Sequence, residues 1–289
     1  MKLKKLTALA LSAVCALSLA ACGGDPAPAE SKAPAAGAES PAAALPAQVQ
    51  AIVDRGTLKV GVKSDVPGFG AEDITTGGYT GMEIDLAKAI AESMGLTADD
   101  VEYTPVTAKT RTQLLDAGDI DMVIATFTIS EERKESWNFT TPYYTDAVSL
   151  LVKKDSGIKT YADLADKTIG VAESSTSKDS LTAAAAEESV TLTDTNFKVF
   201  PDYPSIKAAL DSGAIDVFCV DGSILGGYLD DTTEILYDLR FAPQKYGIAT
   251  KKDNTELADY LEGLVTGWLA DGTIEGFRTA NDAPDEFVG

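Results

Sequence analysis

Residues Thr126 to Arg133 read TFTISEER, so an apolar run ends in three hydroxyls and an arginine. The chain has only five arginines, Arg55, Arg111, Arg133, Arg240 and Arg278, which makes this placement informative. A guanidinium offers a planar fork that matches a carboxylate, and a helix start offers free N–H groups. Thr128 reads as the cap of such a helix, with Glu131 completing a capping box. The pieces for gripping an anion therefore lie together. Further on, LDAGDIDMVIAT recurs 95 positions later as LDSGAIDVFCVD, sharing Leu, Asp, Gly, Ile and Asp in register. That repeat makes Asp221 the counterpart of Thr126. VGV at Val60–Val62 likewise recurs as IGV at Ile169–Val171.

The elements that must position these residues alternate. TLKVGV reads as a buried strand, and MEIDLAKAIAESMG sets Ile84, Ala87, Ile90, Ala91 and Met94 on one helical face, with Gly95 as a stop. VEYTPV, RTQLLDAG and DIDMVIAT continue as strand, helix and strand. The second half repeats the scheme with KTIGVA, SLTAAAAEE, NFKVF, YPSIKAALDSG and AIDVFCVD. This alternation predicts an α/β fold of two similar lobes, each a mostly parallel sheet flanked by helices. Ligands of open α/β sheets bind outside the carboxyl ends of the strands. Two facing lobes would then present a hydroxyl from one side and a carboxylate from the other.

The N-terminus sets the compartment. MKLKK followed by LTALALSAVCALSLA and small residues up to Cys22 reads as a secretory signal over 1–21. Leu19-Ala20-Ala21-Cys22 resembles the bacterial lipobox, in which the cysteine is lipidated. Acyl chains bury methylenes at about 0.8 kcal/mol each, so two chains would anchor the protein stably. Residues 22–47 are almost entirely Ala, Pro, Gly, Ser and Glu, a composition that reads as a flexible tether. Folded structure is expected from about Gln48.

The formal charge is −21, and loss of residues 1–21 removes three lysines and no acid, leaving −24. Nucleic acid and anionic surfaces need a basic footprint, so the charge disfavours them as partners. With Cys15 removed and Cys22 lipidated, Cys219 is a lone thiol in an apolar strand, read as a small buried residue. There is no histidine and no Cys-x-x-Cys pair, and neither a metal nor a cofactor is expected. Without histidine, ligand binding is expected to vary little between about pH 6 and 8.

LKVGVKSDVPGFG, GMEIDLAKAIAESMG, LLDAGDIDMVIATFTISEER, FTTPYY, GSILGG and YGIATKKDN together resemble the polar amino acid-binding proteins of ABC importers. The similarity runs from about Leu58 to Thr273, and GDIDMVIATFTISEER with FTTPYY behind it is its most specific part. The resemblance implies that Arg133 grips the α-carboxylate, helped by the N–H and hydroxyl of Thr128. Asp221 would hold the α-ammonium, shared with the carbonyl of Thr126. Ser174-Ser175-Thr176 would match the family's Gly-Thr-Thr-like loop, with Thr176 closing on the carboxylate, Ser175 a further ligand-binding residue and Ser174 replacing a glycine. Phe69 would wall the side chain, and Gly68, in place of a proline, would loosen that loop. Lys63 and Arg111 match positions that hold the side-chain carboxylate in glutamate- and aspartate-binding members. Arg111 also occurs in relatives with other ligands, so glutamine, cystine or another polar amino acid is the alternative.

The resemblance further implies lobe one at 48–145 plus 241–289 and lobe two at 146–240. Crossings near Thr145–Ala147 and Arg240–Ala242 would form the hinge. A monomer delivering its amino acid to an ABC permease, and no enzyme, is the expectation. Cyclohexadienyl dehydratases are similar to the same pattern, with Glu173 as the nearest candidate acid or base. A signalling receptor or adhesin is the third reading, and a neighbouring permease and ATPase gene would argue for transport.

Overall fold

The computed structural model describes residues 44–288, so the expected signal, Cys22 and most of the tether lie outside the described residues. The first helix is α1 (Ala47–Arg55). The chain continues through β1 (Leu58–Val62), a meander of β2 (Asp65–Val66), β3 (Gly70–Asp73) and β4 (Gly78–Thr80), and α2 (Met82–Ser93). Next come β5 (Val101–Pro105), α3 (Thr110–Ala117), β6 (Met122–Ile124), α4 (Glu131–Ser136), β7 (Trp137–Phe139) and β8 (Tyr144–Lys153). The second half comprises β9 (Ile169–Ala172), α5 (Ser177–Glu187), β10 (Phe197–Phe200), α6 (Tyr203–Asp211), β11 (Val217–Asp221), α7 (Gly222–Gly226) and β12 (Thr233–Ile235). The chain returns through β13 (Phe241–Tyr246), β14 (Ala249–Lys251), α8 (Thr255–Asp271) and α9 (Thr273–Ala280).

Two sheets form two lobes. The first is ordered β5-β1-β6-β14-β7 and the second β10-β9-β11-β8-β12, with β13 beside β8. In each, the first three strands are parallel and the returning strands antiparallel. Strand–helix–strand units give the parallel trios, as the alternation predicts. The antiparallel pairs are made by β14 with β6 and β7, and by β8 with β11, β12 and β13.

The internal repeat is structural. Asp121 Oδ2 accepts the N–H of Lys59 at 2.8 Å, and its counterpart Asp216 Oδ2 accepts that of Thr168 at 2.8 Å. Each carboxylate thus ties the start of its lobe's central strand to the turn before the third. Gly118 and Gly213 end α3 and α6 at φ 78° and 73°, where a side chain would be strained. The central glycines of VGV and IGV are explained by close packing. A Cβ on Gly61 would lie 2.6 Å from Ile120 Cδ1, and one on Gly170 would lie 2.5 Å from Ile215 Cδ1. The isoleucine of each repeat therefore fills the space that its glycine leaves open.

The two segments between the lobes meet as one antiparallel pair. β13 runs beside the first half of β8, matching Gln244 to Asp146 and Lys245 to Thr145. Asp146 is fully buried and binds Arg240 at 2.8 Å, joining the two crossings by an ion pair. Gly68 adopts φ +85°, so this turn requires glycine and cannot hold the proline that fixes φ near −65°. Glycine there defines the turn rather than loosening it.

Candidate functional site

The residues after β6 and β11 converge with those after β9. One pocket is lined by Arg111, Thr126, Thr128, Arg133, Ser175, Thr176 and Asp221. Ala108, Ser177, Tyr203 and Val220 complete it. Seven of the nine residues expected at the site are thus together, drawn from both lobes. Lys63 and Phe69 are not among them.

Arg133 is held from both sides. Its Nη1 donates to the Thr128 carbonyl at 2.7 Å and its Nη2 to the Ser174 carbonyl of the other lobe at 3.1 Å. Burial and the neighbouring Arg111 guanidinium lower its pKa. Arginine starts so high that it remains charged at neutral pH. Ser174, standing where the resemblance has glycine, takes φ 62°, a left-handed conformation that glycine adopts freely. The expected cap is corrected: Ser130, not Thr128, caps α4, its Oγ accepting the Arg133 N–H at 3.1 Å. Thr128 is instead drawn into a bridge with Tyr246, and its hydroxyl donates to Gln244 Oε1 at 2.8 Å.

Arg111 is almost fully buried, its guanidinium 3.9 Å from the centroid of the Phe127 ring. Nη1 donates to the carbonyls of Ala125 and Thr126 at 2.9 and 3.3 Å, while Nε has no partner among the described residues. Thr126, at φ 43°, is kept in its strained conformation by Glu83, whose Oε1 accepts the Thr126 N–H at 2.7 Å. Glu83 also accepts the Tyr143 hydroxyl at 2.5 Å, and burial raises its pKa against those bonds and the nearby Lys63 and Arg111 charges.

Asp221, the last residue of β11, faces the pocket and accepts the Tyr246 hydroxyl at 2.6 Å. Burial, reinforced by the Asp146 charge, pushes its pKa up to about 7. The hydrogen bond from Tyr246 and the charges of Arg111 and Arg133 oppose that rise. The hydroxyls of Thr126 and Ser177 line the pocket and are buried without a hydrogen-bond partner among the described residues. Buried polar groups are normally satisfied, so these orphans mark a surface built for a polar molecule. Ser175 spends its hydroxyl on the Ala172 carbonyl at 2.8 Å, and Thr176 donates to Gln244 Oε1 at 2.8 Å.

Lys63 and Phe69 sit behind the pocket. Lys63 Nζ lies 2.9 Å from Asp65 Oδ1, bonds the Val106 carbonyl at 3.2 Å, and stands 4.5 Å from the centroid of Tyr203. Its charge is already matched by Asp65, two residues along the same turn. Phe69 is fully buried and packs edge-on against Tyr144, centroids 4.9 Å apart. It supports the aromatic cluster around Tyr246 rather than lining the pocket. Glu173 forms an ion pair with Lys109 at 2.9 Å, with both side chains over 40% exposed, which makes it a surface group. Cys219 is buried, and burial raises its thiol pKa well above the usual value, which suits packing and not nucleophilic chemistry.

Sequence reasoning missed Glu83, Gln244, Tyr203, Tyr246 and Ser177. Glu83 carries a faint signal: it is an acid flanked in its helix by the buried Met82 and Ile84, four residues before the buried Ala87. Gln244, Tyr203 and Tyr246 reach the site through contacts across more than 20 positions, and Ser177 directly follows the Ser174-Ser175-Thr176 loop.

The protein is a two-lobed α/β fold whose pocket is lined by Arg111 and Arg133 from one lobe and Asp221 from the other. Residues 58–279 match the model of the bacterial extracellular solute-binding proteins, family 3, and the chain belongs to that family. It is 35% identical over 228 residues to the ABC transporter glutamine-binding protein GlnH of Bacillus subtilis (strain 168), covering 78% of this chain and 81% of that one. It is 30% identical over 252 residues to the glutamate-binding protein GluB of Corynebacterium efficiens, covering 82% of this chain and 83% of that one. Among solved structures, it resembles the ancestral amino acid-binding protein AncCDT-1, a precursor of cyclohexadienyl dehydratase. The TM-score there is 0.69 at 29% identity, over 81% of this chain and 99% of that one.

Proposed function

We propose that this protein captures an acidic amino acid, glutamate or aspartate, outside the cytoplasm and delivers it to an ABC permease. One observation carries the ligand assignment: the charged groups lining the pocket are two guanidinium groups, Arg111 and Arg133, and one carboxylate, Asp221. The α-carboxylate of an amino acid would pair with Arg133 and its ammonium with Asp221. Arg111 then needs a further anion, which a side-chain carboxylate supplies. A neutral side chain would leave that guanidinium desolvated and uncompensated, which is costly. The names of relatives that bind glutamate or glutamine support the amino acid class.

Capture would proceed by the approach of lobe one (48–145 with 241–289) to lobe two (146–240) about Thr145–Ala147 and Arg240–Ala242. Lipidation of Cys22 would hold the protein at the outer face of the cytoplasmic membrane, where it would act as a monomer. Glutamine is the second reading, favoured by the pairing of Lys63 with Asp65, which takes one cation away from the ligand. We infer no enzymatic activity, because Glu173 and Cys219, the nearest candidates for chemistry, are engaged in an ion pair and in the core. Calorimetry with glutamate, aspartate, glutamine and cystine tests the assignment. Tighter binding of either acid than of glutamine supports it, and tighter binding of glutamine or cystine overturns it. Turnover of prephenate or arogenate would overturn the non-enzyme reading.

A further inference from the structure

Gln244 lies on β13, buried between the lobes, and its side chain reaches both. Oε1 accepts the hydroxyl of Thr128, from the segment after β6 of the first sheet, at 2.8 Å. The same atom accepts the hydroxyl of Thr176, from the segment after β9 of the second sheet, at 2.8 Å. Nε2 donates to the Ala242 carbonyl at 2.7 Å, which fixes the amide with its oxygen toward the threonines. One acceptor atom with two lone pairs thus takes one hydroxyl from each lobe.

We propose that Gln244 is a positioning residue for amino acid capture, a clasp that both lobes must engage together. This rests on the reading of the protein as a two-lobed amino acid receptor. A threonine hydroxyl has a single proton, so donation to Gln244 commits it. Thr128 and Thr176 therefore act on the amino acid by holding the lobes together, while Arg133 remains the direct grip. When the lobes separate, the two hydroxyls part, and a single amide oxygen cannot follow both. The clasp exists only in the engaged arrangement, so it slows release of the amino acid without affecting encounter.

The test is stopped-flow tryptophan fluorescence on the full chain with L-glutamate, with foldedness checked by circular dichroism melts. Gln244→Leu keeps the bulk and removes the acceptor. Its dissociation rate should rise about tenfold, the effect of losing two neutral hydrogen bonds, with association unchanged. Thr176→Val loses one of the two bonds and should release glutamate about threefold faster. This half-buried position also serves if the buried leucine is not tolerated. The double variant should release glutamate no faster than Gln244→Leu alone, because both changes break the same bond. Unchanged or slower release from Gln244→Leu overturns the clasp, the latter being what an internal competitor for the hydroxyls would give. Multiplicative effects in the double variant overturn it too. Wild-type protein that binds none of glutamate, aspartate or glutamine overturns the receptor reading, and the clasp falls with it.

Discussion

The Tyr246 hydroxyl donates to Asp221 Oδ2 at 2.6 Å and lies 3.3 Å from Asp146 Oδ2, so one phenol spans two buried carboxylates. Asp146 is compensated by Arg240, by the Ser223 N–H and hydroxyl, and by the Ala147 N–H. Asp221 has Tyr246 as its one hydrogen-bond donor among the described residues. The carboxylate facing the pocket is therefore the less satisfied of the two, as a group that receives a ligand cation should be.

This arrangement changes the expected pH dependence. A histidine-free chain predicts flat binding between about pH 6 and 8, yet burial and Asp146 push Asp221 up to about 7. The ionised form is the one that holds an ammonium, and a bound ammonium lowers the pKa again. Affinity should be complete above pH 7 and fall as pH drops through 7, approaching tenfold per unit, with proton uptake on release. Calorimetry in buffers of different ionisation enthalpy measures that proton directly. Asp221→Asn should bind weakly and without this slope.

Tyr246→Phe removes the hydrogen bond that holds Asp221 down, so its pKa should rise further. At pH 7 affinity should fall about five- to tenfold, consistent with one lost hydrogen bond to a charged group. Above pH 8.5 most of the loss should be recovered. A loss that is the same at every pH would assign Tyr246 to packing alone.

Lys63 and Arg111 should separate cleanly. Arg111 lines the pocket, and Arg111→Met should shrink the preference for glutamate over glutamine about tenfold or more. Lys63 is paired with Asp65, so Lys63→Met should change that preference little. It should instead destabilise the protein by about 3 kcal/mol or more, because Asp65 is left uncompensated beside a buried surface. Thermal melts and titrations of both variants read the two effects separately.

The repeat is testable through stability. Gly61→Ala places a methyl against Ile120, and Gly170→Ala does the same against Ile215. Each should cost about 1–3 kcal/mol of stability by overpacking. Ile120→Val removes the interfering methyl, so the Gly61→Ala and Ile120→Val pair should cost less than the sum of its parts. Denaturant titration measures all three.

What the sequence discloses is what is local or repeated. Strand and helix periodicity, the LDxGxID repeat and the run ending in Arg133 place the two parallel trios with Thr126, Thr128, Arg133 and Asp221, while Arg111, Ser175 and Thr176 came with the family resemblance. Lys63 and Phe69 show the limit. Position after β1 brings both close, but whether a side chain faces the ligand depends on the turn at Gly68 and on Asp65 reaching Lys63 first. The cap shifted from Thr128 to Ser130 for a similar reason: Thr128 has a distant partner, Gln244, that no spacing rule reveals. Asp221 was legible as a residue, but its raised pKa comes from burial and from Asp146, 75 positions before it, against the opposing hydrogen bond of Tyr246, 25 positions after.

Arg133→Ala bears on the anion grip itself. Truncating one partner of a buried charge pair costs about 2–5 kcal/mol. Amino acid affinity should weaken about thirtyfold or more while the fold is retained. Near wild-type affinity in a folded variant would make Arg133 an interlobe contact to Ser174 and nothing more.

The central claim is that two guanidinium groups and one carboxylate select an amino acid of net charge −1. Calorimetric titration of the wild-type protein with L-glutamate, L-aspartate and L-glutamine at pH 7.5 tests it most directly. One of the two acids should bind at least tenfold more tightly than glutamine, with a one-to-one stoichiometry. Equal or tighter binding of glutamine would contradict it.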